Sequence, residues 1–286
     1  MKRVFLKSKL IGNLFDKHNF RPNKKLGQIF LVDENILKKL IDYLNIKSSD
    51  YILEIGAGFG SLTKHLIRKA KRVFAVEKDK RLCNMIYEYL GECPDNLEII
   101  HGDILKFNIK KIYKIYSEKI RVIGNLPYYI TSPIISYLIE NKDYMDSIQL
   151  TVQKEVADRI LAKPSTKDYS FLTLLVQFHL EALKLFNISK SCFFPPPEVD
   201  STVLRFEIPR VPKFKVYDKN LFFKIVDAGF SQRRKTFLNA LTNKYILKKS
   251  KEELLNLLKS LGINPSERAE ELAIEEFVRI TNSILP

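Results

Sequence analysis

The feature that most restricts this chain lies between residues 51 and 77. The apolar run Tyr51-Ile52-Leu53-Glu54-Ile55 flows into Gly56-Ala57-Gly58-Phe59-Gly60. A helix-patterned segment follows from Ser61 to Lys69, and a second apolar run, Arg72-Val73-Phe74-Ala75-Val76, ends at Glu77. Strand, glycine turn, helix and strand in that order make a mononucleotide-type βαβ unit, which belongs in a parallel sheet with helices on its faces. The glycines let the backbone turn tightly and approach a ligand closely. Glu77 comes about twenty residues beyond the turn, at the next strand tip, where a carboxylate accepts from both hydroxyls of a ribose. The glycine spacing is shorter than the dinucleotide pattern G-x-G-x-x-G. Glu-x-Gly-x-Gly-x-Gly points instead to S-adenosylmethionine.

The alternation continues along the chain. Asp33 opens a helical pattern with Ile36, Leu37, Leu40, Ile41 and Leu44 on one face, and residues 82–90 form another. Leu97-Glu98-Ile99-Ile100 reads as a third strand ending in His101-Gly102-Asp103, and Ile120-Arg121-Val122-Ile123 as a fourth ending in Gly124-Asn125-Leu126-Pro127-Tyr128-Tyr129. Thr131-Ser132-Pro133 reads as a helix start, with Ser132 as the cap and Pro133 in the first turn. Ligands of open α/β sheets bind at the carboxyl ends of the strands. Gly56, Glu77, Asp103 and Asn125 therefore converge on one expected site. Asp103 suits the exocyclic amine of a cofactor's adenine, and its plain alternative is to cap the next segment. Asn-Leu-Pro-Tyr suits a second exocyclic amine. The Asn125 oxygen accepts from one N–H, and the stiff Pro127 turn aims the Leu126 carbonyl at the other. Tyr128 offers a flat face for a base.

The formal charge of +15 points to a polyanionic partner, nucleic acid before an anionic membrane surface. No window approaches eighteen uncharged apolar residues, so no membrane span is expected. Cys83, Cys93 and Cys192 form no Cys-x-x-Cys pair, and four scattered His suggest neither a metal site nor a disulfide framework. A reducing compartment is the default. Residues 1–28 carry Lys2, Arg3, Lys7, Lys9, Lys17, Arg21, Lys24 and Lys25 against Asp16. This stretch reads as a disordered arm for phosphates, with an organellar presequence and a solvated tail as the alternatives.

Pro209-Arg210-Val211-Pro212 reads as a linker, followed by helical patterns over 221–228, 235–241, 251–258 and 271–283. Arg233, Arg234 and Lys235 are expected at a helix start, facing phosphates, while Lys248, Lys249 and Lys251 read as solvated. Lys154 and Arg159, after the strand Ile148–Val152, read equally as RNA contacts or as the solvated face of a packed helix. Residues 163–170 read as a loop near the substrate. The expected organisation is a basic arm over residues 1–23, a Rossmann-like methyltransferase domain over 24–208 and a small all-α domain over 213–286.

Several of these motifs, in this order, resemble the ribosomal RNA adenine dimethyltransferase family. They are Lys25-Leu26-Gly27-Gln28-Ile29-Phe30-Leu31, Glu54 to Gly60, Asn125 to Tyr128, Gln153 to Ala157, Phe193-Phe194-Pro195-Pro196-Pro197-Glu198-Val199-Asp200-Ser201, Phe230 to Thr236 and Arg268-Ala269-Glu270-Glu271-Leu272. The resemblance spans roughly residues 24–282. It implies S-adenosylmethionine as donor and N6 of two adjacent adenosines in the 3′-terminal hairpin loop of small-subunit rRNA as acceptor, each methylated twice. It also implies a partly assembled small subunit as the substrate, in ribosome biogenesis. Carried onto this chain, Leu31, Gly56, Glu77, Asp103 and Asn125 are the expected cofactor contacts. Ile29 stands where the family has Asn or His, so a contact there survives only through the backbone. Tyr128 and Phe193, the latter held by three prolines, are expected to sandwich the flipped base. The rivals are a large-subunit methyltransferase of the erythromycin-resistance type and a non-catalytic nucleic-acid-binding factor. The Arg268–Leu272 signature argues against the first, and the presence of both Asn125 and Glu77 against the second. A cytoplasmic monomer is expected, or an organellar protein if the basic leader is a targeting segment.

Overall fold

The computed structural model describes residues 11–23, 27–243, 247 and 249–284. Lys2, Arg3, Lys7, Lys9, Lys24, Lys25, Leu26 and Lys248 lie outside them. The chain divides into two compact units. One holds the chain up to Ala157 together with Leu183–Ile208, and the other holds Asp158–Ala182 and the chain from Pro209 onward.

The first unit is built on a seven-stranded sheet. Its strands are β2 (Tyr51–Ile55), β3 (Arg72–Glu77), β4 (Leu97–His101), β5 (Ile120–Asn125), β6 (Met145–Gln153), β7 (Glu181–Ile188) and β9 (Ser201–Glu207), in the order β4-β3-β2-β5-β6-β9-β7. Neighbours from β4 to β6 are parallel, and β9 runs antiparallel to β6. The chain winds from β2 outward to β4, then returns to the other side of β2 with β5. That reversal is a topological switch point, and it opens a crevice at the carboxyl ends of β2 and β5. A two-residue strand, β1 (Phe30–Leu31), pairs antiparallel with β8 (Phe193–Phe194).

Local chemistry explains the element ends. Asp33 accepts from the N–H groups of Asn35 and Ile36 and starts α2 (Glu34–Leu44), which stops at Asn45 in a left-handed conformation with φ 50°. Helix α3 keeps only Thr63–Leu66 of the segment expected to run to Lys69. The helices α4 (Lys80–Leu90) and α5 (Ile109–Tyr116) follow β3 and β4. Helix α6 (Thr131–Glu140) begins at Thr131 and not beyond Ser132. A 3-10 turn over Tyr128–Ile130 runs straight into it, so Ser132 is no cap and Pro133 is its third residue.

The expected basic arm is packed over its described part. Residues 11–17 form helix α1, and Ile11, Phe15 and Phe20 are buried with Phe30, Phe59, Leu82 and Met85. Phe15, Phe30 and Phe59 meet edge-on or tilted at 5.4–5.7 Å, contacts that bury an apolar face too large to leave in water. Lys17 pairs with Glu88 and Arg21 with Asp16, both at 2.6 Å.

The second unit is helical: α8 (Phe171–His179), α9 (Lys219–Ser231), α10 (Phe237–Asn243), α11 (Lys251–Ser260) and α12 (Ile274–Ile284). Its core gathers Tyr169, Leu174 and Phe178 with Phe222, Phe237, Leu258 and Phe277. The expected boundary at residue 208 is corrected on this point: 158–182 belongs with the C-terminal helices, because α8 buries its apolar side among them. Arg233–Lys235 lie in the turn between α9 and α10 and not at a helix start. No described helix is long and apolar enough to cross a membrane.

Candidate active site

A cavity of about 1020 Å³, counting the open solvent at its mouth, lies within the first unit at the switch point. Gly56, Glu77, Asp103 and Asn125 all line it, as do Gln28, Ile29 and Leu31 beside β1. Four strand tips and the β1 lead-in thus meet where the topology places a ligand.

The floor is the glycine turn. Gly58 has φ +60°, and a Cβ there would lie 3.0 Å from the Phe30 ring. A side chain at Gly58 would therefore be strained and crowded at once. The Gly58 N–H donates to one Glu77 carboxyl oxygen at 2.9 Å, and the Asp79 N–H to the other at 2.8 Å. Glu77 is thereby held in one orientation, and burial pushes its carboxyl pKa up. Glu54 is 2% exposed and accepts from the Thr63 hydroxyl at 2.6 Å. Burial pushes its pKa up to about 8, so it is largely neutral at pH 7.

Asp103 combines both of its expected uses. It accepts from the Leu105 N–H at 3.0 Å as a cap, and it lines the cavity while paired with Lys78 at 2.8 Å. The Lys78 ammonium holds its carboxyl below the usual range.

Asn125 is the most telling side chain. Its Nδ2 donates to the Ile29 carbonyl at 3.0 Å, whereas its Oδ1 is buried with no hydrogen-bond partner. Because Nδ2 is engaged, the amide keeps its oxygen as the free end. A buried acceptor without a donor costs about 1–3 kcal/mol, so this position suits a ligand that brings a hydrogen-bond donor. Ile29 contributes through its carbonyl, so the apolar side chain is no obstacle to this contact. The Leu126 side chain is 2% exposed, and its N–H donates to the Thr151 carbonyl at 3.1 Å. That bond fixes the turn between Asn125 and Pro127, which both line the cavity.

Neither Tyr128 nor Phe193, the two rings of the expected sandwich, lines the cavity. Phe193 is 3% exposed and packed with Leu31 and Leu37. Its register opposite Leu31 in the β1–β8 pair turns it into the core. Tyr128 is half-buried, with its hydroxyl 2.9 Å from the Ser201 hydroxyl. The ring that does line the cavity is Tyr129, half exposed and lying against Gly27, where a Cβ would come 3.1 Å from it. The 3-10 turn over Tyr128–Ile130 rotates the two tyrosines apart, which Asn-Leu-Pro-Tyr alone does not reveal.

Sequence reasoning also passed over Gln28. Its Nε2 donates to Asp79 at 2.9 Å and its Oε1 accepts from the Asn23 N–H at 2.7 Å, tying the β1 lead-in to the tip of β3. Arg81 holds the other face of Asp79, and the two contacts lower that carboxyl to about 2, the Arg81 bond more than the Gln28 one. The only signal for this tie was the place of Gln28 inside the Lys25–Leu31 motif.

The expected RNA contacts divide. Lys154 is exposed at the start of α7 (Lys154–Ile160), and Arg159 is exposed near its end. Arg234 and Lys235 are exposed in the second unit. Arg233 is a structural tie in that unit: it pairs with Glu270 at 2.9 Å and donates to the carbonyls of Lys167 and Tyr169 at 2.8 and 3.3 Å. Among the described residues no group of three or more His, Cys, Asp or Glu could hold a metal ion.

Comparison with known proteins agrees with this geometry. The sequence model of a family described as ribosomal RNA adenine dimethylase matches residues 19–285. A ribosomal RNA small subunit methyltransferase A from Clostridium acetobutylicum is 41% identical, over 95% of this chain and 96% of that one. One from Bacillus cytotoxicus is 40% identical, over 96% and 95%. Among solved structures, a dimethyladenosine transferase from Plasmodium falciparum is similar with TM-score 0.74 and 29% identity, covering 87% of this chain and 94% of that one. A 23S rRNA methyltransferase shares the fold at TM-score 0.66 and 23% identity, over 89% and 99%.

Proposed function

The chain belongs to the ribosomal RNA adenine dimethylase family, and on that premise we propose that it dimethylates N6 of two adjacent adenosines in the 3′-terminal hairpin loop of small-subunit rRNA. It is an rRNA adenine dimethyltransferase that uses S-adenosylmethionine. When bound, the cofactor supplies an activated methyl group on a sulfonium.

The residues present fit that cofactor and an adenine acceptor. Glu77, clamped by two N–H groups, has lone pairs left for ribose hydroxyls. Asp103 suits an adenine amine, and the turn at Gly56–Gly60 lets the backbone lie close to the ligand. The observation that carries the reading is the unpartnered Oδ1 of Asn125. It accepts one N–H of the target N6 and so directs the nitrogen lone pair toward the methyl group. The Leu126 carbonyl, next along the same turn, takes the second N–H. Positioning of this kind supplies much of the rate when two reactants must meet in line. The methylated amine becomes acidic and passes its proton to water, so no general base is required. A hairpin loop makes extrusion of the base cheap.

The acceptor is a partly assembled small subunit and the enzyme acts as a monomer in the cytoplasm. The formal charge of +15 supports an RNA partner. Arg234, Lys235, Lys154 and Arg159 are the proposed phosphate contacts. The test is methyl transfer from labelled cofactor to small subunits lacking the modification, to large subunits and to free rRNA. Two methyl groups on each of two neighbouring small-subunit adenosines is the expected outcome. Transfer to the large subunit instead would move the protein to the resistance-type branch. Cofactor binding with no transfer to any RNA would sink the enzymatic reading.

A further inference from the structure

Helix α5 carries a second feature that the reaction does not use. Its eight residues bury Ile109 and Ile112 and turn Lys110, Lys111 and Lys114 to solvent. Tyr113 is 37% exposed and Ile115 61% exposed, on opposite flanks of the lysine face. None of the three ammonium groups makes an ion pair or hydrogen bond among the described residues. Over residues 104–119 there are five lysines, Lys106, Lys110, Lys111, Lys114 and Lys119, against the single acid Glu118. Tyr144 stands beside Tyr113, ring centroids 5.4 Å apart.

This basic face follows the cavity lining directly in the chain. Asp103 lines the cavity, and Lys78 grips it from the rim. Lys106 ends the 3-10 turn Ile104–Lys106 that Asp103 caps. The chain passes from Asp103 through Lys106 directly into α5. Cations thus run from the rim of the site along the outer side of one helix. Lys110 and Lys114 stand about one turn apart, about 6 Å along the axis.

Resting on the reading of the cavity as an rRNA adenine site, we propose that the exposed face of α5 is a docking track for the RNA strand that flanks the target adenosine. Lys106, Lys110, Lys111 and Lys114 take its phosphates, and Tyr113 offers a ring to an unpaired base. Charge complementarity selects the occupant: unpaired ammonium groups interleaved with an aromatic face are the composition that single-stranded nucleic acid requires. A membrane surface is a poorer fit. The helix is only about 12 Å long, and apart from Tyr113 its exposed apolar side chain is Ile115.

The test uses the full chain and small subunits lacking the modification, with binding measured across a salt series. In Lys110→Ala/Lys111→Ala/Lys114→Ala, three lost phosphate contacts should reduce the slope of log K against log salt by about 2. We expect the dissociation constant to rise about tenfold near physiological salt, with cofactor affinity as the control for folding. The triple Lys→Arg variant should restore the slope. An unchanged slope overturns the inference, and so does weaker binding at the parental slope, which would reflect lost packing. If the triple variant loses binding to vesicles of anionic lipid but keeps its RNA slope, the face is a membrane contact and the inference fails. Wild-type methyl transfer is measured in parallel. Its presence with an unchanged slope rejects the α5 track alone, and its absence rejects the functional reading beneath it.

Discussion

Asn125→Ala should separate activity from stability, and the structure gives both magnitudes. The substitution removes the Nδ2 bond to the Ile29 carbonyl, which costs about 1 kcal/mol. It also removes a buried acceptor that has no partner, which returns about 1–3 kcal/mol. The two effects oppose, so the net change should run from about zero to about 2 kcal/mol of added stability. For a protein of this size that is a rise in Tm of at most about 8 °C. Catalysis has no such compensation. Loss of one preorganised hydrogen-bonding group at a reacting centre costs about 10²–10³ in kcat. Thermal denaturation and single-turnover methyl transfer on small subunits measure the two quantities. Asn125→Asp is the companion variant. It keeps an acceptor for N6 but sets a carboxylate against the Ile29 carbonyl, so it should be less stable than the alanine variant. Transfer within about tenfold of wild type in Asn125→Ala would refute the role of Oδ1, and a clear fall in Tm would show that the side chain is chiefly structural.

Three further outcomes follow from other contacts. Glu54 has its folded pKa raised to about 8 by burial. The folded protein therefore holds a proton there that the unfolded chain releases above about pH 4.5, and stability should fall as pH rises toward 8. Glu54→Gln keeps an acceptor for the Thr63 hydroxyl, so its Tm should decline less over pH 5–8; parallel curves for the two proteins would contradict the assignment. Gly58→Ala adds a Cβ 3.0 Å from the Phe30 ring at φ +60°, a strain of about 1–2 kcal/mol. Calorimetry should show cofactor affinity lowered at least tenfold, and unchanged affinity would mean that the turn does not touch the ligand. Arg233→Ala removes two carbonyl contacts and the Glu270 pair, so it should lower Tm by several degrees. Arg234→Ala should leave Tm in place and weaken RNA binding, and equal effects on Tm would erase the distinction.

What was legible in the sequence was the part written as strand ends. A buried parallel strand is a short apolar run, and the residue after it must point into the crevice, so Gly56, Glu77, Asp103 and Asn125 could be ordered without any three-dimensional information. Positions decided by rotation and register were not legible. Phe193 beside three prolines looks like an aromatic held out toward a ligand, yet its place opposite Leu31 turns it inward. Of the tyrosines at 128 and 129, which share a single 3-10 turn, only the second lines the cavity. Arg233-Arg234-Lys235 reads as one basic unit, but carbonyls of the 158–182 segment, distant in sequence, claim the first of the three.

The same limit bears on Asn125. Its role depends on two features that come from different levels. The strand tip is written in local sequence, whereas the carbonyl that occupies Nδ2 comes from Ile29, 96 residues away. Without that carbonyl the amide could turn either end to the cavity, and the site would favour an acceptor as readily as an amine. With it, only the oxygen faces inward, and a buried oxygen without a donor favours a ligand that brings an N–H. Adenine N6 meets that demand. The preference for a ligand that donates a hydrogen bond is thus set by a backbone contact that no motif records, and it holds whichever side chain stands at position 29.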